Sequence, residues 1–160
     1  MRSAMNQSGL TLIEVLVTIT ILGILASVAV PLSQMTVKRE KELELRRSLR
    51  GIRSAIDAYK RVSDEGRIKK SIDESGYPPD LETLVEGVED ASTPDKKTIK
   101  FLRRVPRDPM NPDTSLPSEE PWGLRSYESD PDSPSEGEDV FDVYSLSEET
   151  AIDGTRYDSW

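Results

Sequence analysis

The stretch SGLTLIEVLVTITILGILASVAVPL, residues 8–32, decides how this chain is read. From Leu10 to Val30 it is apolar apart from Glu14, Thr11, Thr18, Thr20, Gly23 and Ser27. As a helix rising ~1.5 Å per residue it spans roughly 30 Å, the thickness of a bilayer's hydrocarbon core. Glu14 is the anomaly, because a carboxylate in hydrocarbon is costly unless a partner satisfies it. A secretory signal peptide is one reading, since Ser27, Val28 and Ala29 offer a cleavage site after Ala29. Against it, the run exceeds the usual ~7–15 apolar residues and only Arg2 precedes it. A plain transmembrane anchor is a second reading, which leaves Glu14 without a use.

Moving outward, Pro31 falls inside a continuing helical pattern, where it should kink or locally melt the helix. Beyond it, Leu45, Leu49, Ile52, Ile56 and Tyr59 recur at steps of 4, 3, 4 and 3. That spacing makes one apolar stripe on a helix with charges elsewhere. The helix should run from near Leu10 to between Ser63 and Gly66. "SGYPPDLETLVEG" (residues 75–87) reads as an extended Pro-Pro entry followed by a short helix. Asp80 is its N-cap, and Leu81, Leu84 and Val85 face inward. "TIKFLRRVPRDP" (98–109) reads as a short element and a Pro-broken loop, and residues 111–121 read as loop. "WGLRSYE" (122–128) and "DVFDVYSLS" (139–147) read as two strands of a hairpin. In the second, Val140, Asp142 and Tyr144 alternate with Phe141, Val143 and Ser145. The tail from Glu148 to Trp160 reads as acidic and irregular.

Composition excludes several functions. The chain of 160 residues has no cysteine and no histidine. Disulfides, thiolate zinc sites and His-dependent nucleophilic catalysis are therefore impossible within it. A net charge of −9 argues against nucleic-acid binding. Charge is also polarised along the chain. Residues 38–61 carry nine basic side chains against four acidic ones, whereas residues 104–160 carry four basic against fifteen acidic. A basic stem and an acidic head can attract each other between copies, although two solvated faces explain the counts as well. The carboxylate pairs Glu119/Glu120 and Glu148/Glu149 lie in loop-like sequence with no second catalytic element, so the chain is read as a non-enzyme.

A third reading of the N-terminus rests on a resemblance. The run from Ser8 to Leu32 resembles the class III signal of type IV pilins and their relatives. The resemblance implies cleavage by a prepilin peptidase after Gly9 and N-methylation of the new N-terminal Leu10. Glu14 then pairs with the Leu10 amine of a neighbouring subunit, and Pro31 takes the position of the family's helix-distorting proline. "GYPPDLETLVEG", "FLRRVPRDPMNP", "PWGLRSYES", "DVFDVYSLSEE" and the closing "DSW" resemble, in order, segments of the major pseudopilin of type II secretion. The implied fold is α+β and type IV pilin-like. A long N-terminal helix, apolar in its first half and amphipathic in its second, packs on a small C-terminal domain with a short antiparallel sheet. The implied parts are a leader (1–9), a transmembrane or fibre-core helix (10–35), an amphipathic helix (36–65) and a periplasmic head (66–160).

The resemblance also implies function and partners. The subunit polymerises through its N-terminal helix into a periplasmic fibre that drives export of folded proteins. Its partners are copies of itself, the prepilin peptidase, an inner-membrane assembly platform and minor pseudopilins. The alternative within the superfamily is a pilin for adhesion, motility or DNA uptake. The implied location is the bacterial inner membrane, single-pass, with the head in the periplasm. Charge alone points the other way, because Lys38, Arg39 and Lys41 after the run outnumber Arg2 before it. Major pseudopilins often hold calcium in a C-terminal loop. Here that loop is "SLSEETAIDGTRYDSW" (145–160), with Leu146, Glu149, Asp153 and Asp158 as the corresponding ligands. An acidic loop can supply the six to eight oxygens that calcium takes.

Overall fold

The computed structural model describes residues 11–160 except Ile72, Lys96, Thr114, Pro131 and Asp132, and excludes the side chains of residues 28–32. Helix α1 spans Leu12–Asp64. The chain divides into two compact units, Met1–Arg39 and Glu40–Trp160.

In the first unit the described large apolar side chains of α1 are exposed, from Leu12 (85 %) through Ile19, Leu22 and Leu25. Among the described residues no helix is long and apolar enough to cross a membrane. The apolar run of residues 10–30 extends past the described side chains at both ends.

In the second unit the opposite holds. Leu45, Leu49, Ile52, Ile56 and Tyr59 are all buried, so the 4-3-4-3 stripe is the core face of α1. Each fully buried aliphatic side chain stabilises the fold by roughly 1.5–3 kcal/mol relative to exposure. The helix stops in a Schellman arrangement. Gly66 takes a left-handed φ of 72°, its N–H donates to Ser63 O at 2.9 Å, and Arg67 N–H donates to Val62 O at 3.2 Å.

Helix α2 (Leu81–Glu86) starts where Asp80 accepts the Thr83 N–H at 2.7 Å, as its sequence indicates. Leu81 and Leu84 are buried and Val85 is half-buried against the core. The helix ends at Gly87, whose φ is 85° and whose added Cβ would lie 2.5 Å from Ile99 O. Only glycine fits there. The chain then pairs β1 (Val88–Glu89) antiparallel with β2 (Thr98–Ile99). Leu84 O accepts both Phe101 N–H and Leu102 N–H, at 3.0 and 2.8 Å, which docks the chain after β2 on α2.

Strands β3 (Trp122–Arg125) and β4 (Asp142–Ser145) form the second antiparallel pair, with Trp122 opposite Ser145 and Arg125 opposite Asp142. The described strands thus make two two-stranded sheets rather than one. Both strands of the second pair are shorter than their sequence suggests. Val143 and Ser145 share the core face, in keeping with the alternation, which fails upstream: Val140 is buried and Phe141 is exposed. Val140 N–H instead donates to Pro78 O at 2.8 Å, tethering the approach to β4 to the Pro-Pro segment. Phe141 joins Tyr77 and Tyr127 in an aromatic surface cluster.

The tail is not irregular. Ala151 N–H donates to Thr155 O at 2.7 Å across a turn in which Gly154 has a φ of 88°. A 3₁₀ turn, Tyr157–Ser159, follows. Ala151 and Tyr157 enter the same core as α1, α2, Trp122 and Val143.

Candidate functional site

The first candidate is the start of α1. Gly9 and Leu10, the expected cleavage and methylation positions, lie outside the described residues. Glu14 sits in the first turn of α1 and is exposed. Thr11 and Glu14 have the spacing of a capping box, yet only half of it forms. Thr11 Oγ1 accepts the Glu14 N–H at 3.4 Å, and the Glu14 carboxylate makes no hydrogen bond or ion pair to a described residue. Around it stand Ile13, Val15, Leu16 and Val17, all exposed. A carboxylate here has apolar neighbours and no ion-pair partner among the described residues. Pro31 lies within α1, which runs on past it to Asp64, and its side chain is outside the described set.

The second candidate is the C-terminal loop and the face of α1 beneath it. Glu42, Arg46 and Arg53 lie at steps of four and seven along α1, beside the buried stripe. Glu42 Oε1 accepts the Ile152 N–H at 2.8 Å and the Tyr157 hydroxyl at 2.9 Å. Arg46 Nη2 donates to Asp153 Oδ2 at 3.0 Å, and its guanidinium lies 4.1 Å from the centre of the Trp160 ring. Arg53 donates to Asp142 Oδ1 at 2.6 Å, to Val143 O at 2.9 Å and to Trp160 O at 2.6 Å. One arginine therefore ties helix, sheet and tail together.

The loop is also braced from within. Asp153 Oδ1 accepts both the N–H and the hydroxyl of Thr155, at 3.0 and 2.6 Å. These bonds, with Arg46 beside them, hold the Asp153 carboxyl below the usual aspartate range. Burial first, then the hydrogen bond to Glu42, push the Tyr157 phenol well above its usual value, so it stays a donor. Tyr157 packs edge-on against Trp160 at 5.2 Å, and the Trp160 indole N–H donates to Thr155 Oγ1 at 2.7 Å. Asp158 is taken by Arg156, at 2.5 and 3.1 Å. The basic stem and acidic head thus meet within one chain, through Arg46–Asp153 and Arg53–Asp142. Sequence reasoning does not single out Glu42, Arg46, Arg53 or Tyr157. The helical spacing of the first three is visible in the sequence, but their partners lie 89 to 115 residues away in the chain.

The comparisons with known proteins agree with this architecture. Residues 4–30 match the family model of the prokaryotic N-terminal methylation motif. The chain is 30 % identical over 117 residues to the type II secretion system core protein G of Klebsiella michiganensis, covering 71 % of this chain and 75 % of that protein. It is 32 % identical over 110 residues to the protein of that name from Pseudomonas aeruginosa, covering 65 % and 68 %. It is 28 % identical over 116 residues to that of Vibrio cholerae, covering 71 % and 72 %. No solved structure matches. The chain belongs to the type II secretion system core protein G family, the major pseudopilins.

In this pseudopilin the expected calcium ligands are not gathered. Leu146 is exposed, Glu149 is exposed, and Glu149 uses its carbonyl to accept the Tyr157 N–H at 3.1 Å. Asp153 has both oxygens occupied by Arg46 and Thr155, and Asp158 has both occupied by Arg156. Among the described residues no three acidic side chains converge on a point that could hold a metal ion. The donor set as arranged does not fit calcium, because its strongest oxygens face cations of the same chain.

Proposed function

We propose that this chain is a structural subunit of a type II secretion pseudopilus and that it works by polymerising rather than by chemistry. The carrying observation is the contrast at the start of α1. A helix whose large apolar side chains are exposed presents a carboxylate with no partner among the described residues of its own chain. Such a surface is incomplete in one molecule and complete in a bundle of several. Cleavage after Gly9 creates a cation at Leu10, and a Glu14 carboxylate of an adjacent copy neutralises it as both leave lipid. The apolar run holds the unassembled subunit in the inner membrane, with the head of residues 66–160 in the periplasm. Pro31 supplies a point where the helix can bend as copies pack. Prepilin peptidase, the assembly platform and minor pseudopilins are its partners in that pathway. A surface-pilin role is disfavoured by the family membership.

The test is intact-mass and N-terminal sequencing of protein extracted from membranes. The mature chain should begin at N-methylated Leu10. A chain beginning at Val30, or one that retains Met1, overturns the reading.

A further inference from the structure

We infer that the C-terminal loop of this chain is closed by its own charged side chains on α1, with Arg46 in the role that a calcium ion takes in the resembling loop, and that the head needs no divalent cation to hold its tail. The inference is independent of the assembly role above, because it concerns how the head is held shut.

Complementarity along α1 carries it. At Glu42, an acid, the loop presents two donors, the Ile152 N–H and the Tyr157 hydroxyl. Four residues on, at Arg46, it presents an acid, Asp153, and the face of an aromatic ring, Trp160. At Arg53 it presents a carbonyl-type oxygen, that of Trp160, beside the Asp142 carboxylate of β4. Donors meet the acid and acceptors meet the bases in one order, so the loop has one register on the helix. Shifting it would place Asp153 against Glu42.

A calcium ion would have to take oxygen ligands at about 2.3–2.6 Å. Asp153 is the natural first ligand, yet one of its oxygens accepts from Arg46 and the other from Thr155 twice. Binding there would displace a guanidinium that also stacks on Trp160, or leave it beside a divalent ion of like charge. Asp158 is closed in the same way by the bidentate Arg156. A permanent cation on the stem does the neutralising that a metal would do, and it comes covalently attached.

The test uses the full chain in detergent micelles and two readouts that do not depend on secretion: thermal unfolding, and amide hydrogen exchange of residues 146–160. For the unaltered protein, excess EDTA and millimolar calcium should give the same melting temperature and the same exchange pattern. Arg46→Ala should speed exchange in the loop roughly five-fold, equally in EDTA and in calcium. Arg47→Ala, at an exposed neighbouring position, should leave the loop unchanged. If Arg46→Ala fails to fold, Arg46→Lys keeps the charge without the planar stack, and should loosen the loop less, again without a calcium response. Asp153→Asn combined with Arg46→Ala should be no worse than the worse single change, since the two share one interaction. A rise in melting temperature with calcium that also protects the loop overturns the inference, and so does unchanged loop exchange in Arg46→Ala.

Discussion

The two halves of α1 follow opposite rules. From Leu12 to Leu25 the apolar side chains are exposed, and the acid among them has no partner among the described residues. From Leu45 to Tyr59 the apolar side chains form one stripe, buried by α2, β3, β4 and the tail of the same chain, and Glu42, Arg46 and Arg53 beside it are paired. Both are good helices by sequence, so helicity is not what separates them. What separates them is whether the partner surface is encoded in the same molecule. The second half is finished on folding, whereas in the proposed function the first half is finished by lipid or by other copies.

Substituting Glu14 should break this contrast most sharply. Glu14→Ala removes the one charge between Leu12 and Leu25 and leaves the sequence of the head unaltered. Leader cleavage and the melting temperature of the head should be unchanged, while fibre assembly, measured by cross-linking between subunits and by export of a reporter, should be lost. Normal assembly in this variant would mean that the carboxylate does not select the neighbouring subunit. The mirror experiment is Ile52→Ala, in the middle of the buried stripe. It deletes most of a side chain with 0 % exposure and should cost about 2–5 kcal/mol of stability, from lost burial plus the cavity left behind. The same truncation at exposed Ile19 should leave the head's stability unaltered. Equal effects at the two positions would erase the distinction between the halves.

Acid should act on the closed half through its paired carboxylates. Asp90 is held far below the aspartate range, first by Arg67 and then by Ser92, and Asp113 and Asp153 are also lowered by hydrogen bonds. Because these folded-state values lie below the unfolded one of about 3.9, the unfolded chain binds more protons between them. Their stabilisation is complete above that value and fades as pH falls through the folded values. Asp108 runs the other way. It is buried, accepts from Ser145 Oγ at 2.5 Å and from Met110 N–H at 2.8 Å, and burial raises its value. Its protonation relieves a cost as pH drops, so it offsets part of the loss. Urea midpoints measured from pH 7 downward should stay level or rise slightly at first and fall below about pH 4. Asp90→Asn should flatten the fall, and Asp108→Asn should remove the offset.

How much of this was legible in the sequence follows from where each residue's partners lie. The stripe Leu45–Tyr59, the Asp80 cap and the end of α1 before Gly66 are local patterns, and the structure repeats them. Trp122–Arg125 and Asp142–Ser145 are legible as strands, but they are shorter than the sequence pattern suggests, because Phe141 obeys an aromatic surface cluster rather than the pleat. Strands β1 and β2 are two residues each, too short to show a period. The tail was the clearest miss. Its acids read as solvated or as metal ligands, but Asp153 is met by Arg46, 107 residues earlier on the helix, and the other tail groups held by α1, Ile152 N–H, the Tyr157 hydroxyl and Trp160 O, lie 107 to 115 residues from Glu42 and Arg53. Charge asymmetry between stem and head was the one available signal, and it pointed between copies when the described pairs lie within one.

The smallest expected effect sharpens the comparison furthest, because it separates closing the head from building the fibre. Tyr157→Phe keeps the buried ring and its edge-on contact with Trp160 and removes only the hydroxyl that donates to Glu42. Glu42 stays satisfied by the Ile152 N–H and by water, as it is only half-buried. The loss should therefore be about 1 kcal/mol, the net worth of one hydrogen bond, to a charged acceptor that can recruit solvent. Guanidinium unfolding of the head should register that shift in midpoint at constant slope. Assembly should not change, since no atom of the unfinished half is touched. If Tyr157→Phe reduced assembly while costing the head no more than this, the tail and the stem beneath it would belong to the subunit contact as well as to the fold. The boundary between the closed and open halves of α1 would then have to move toward the head.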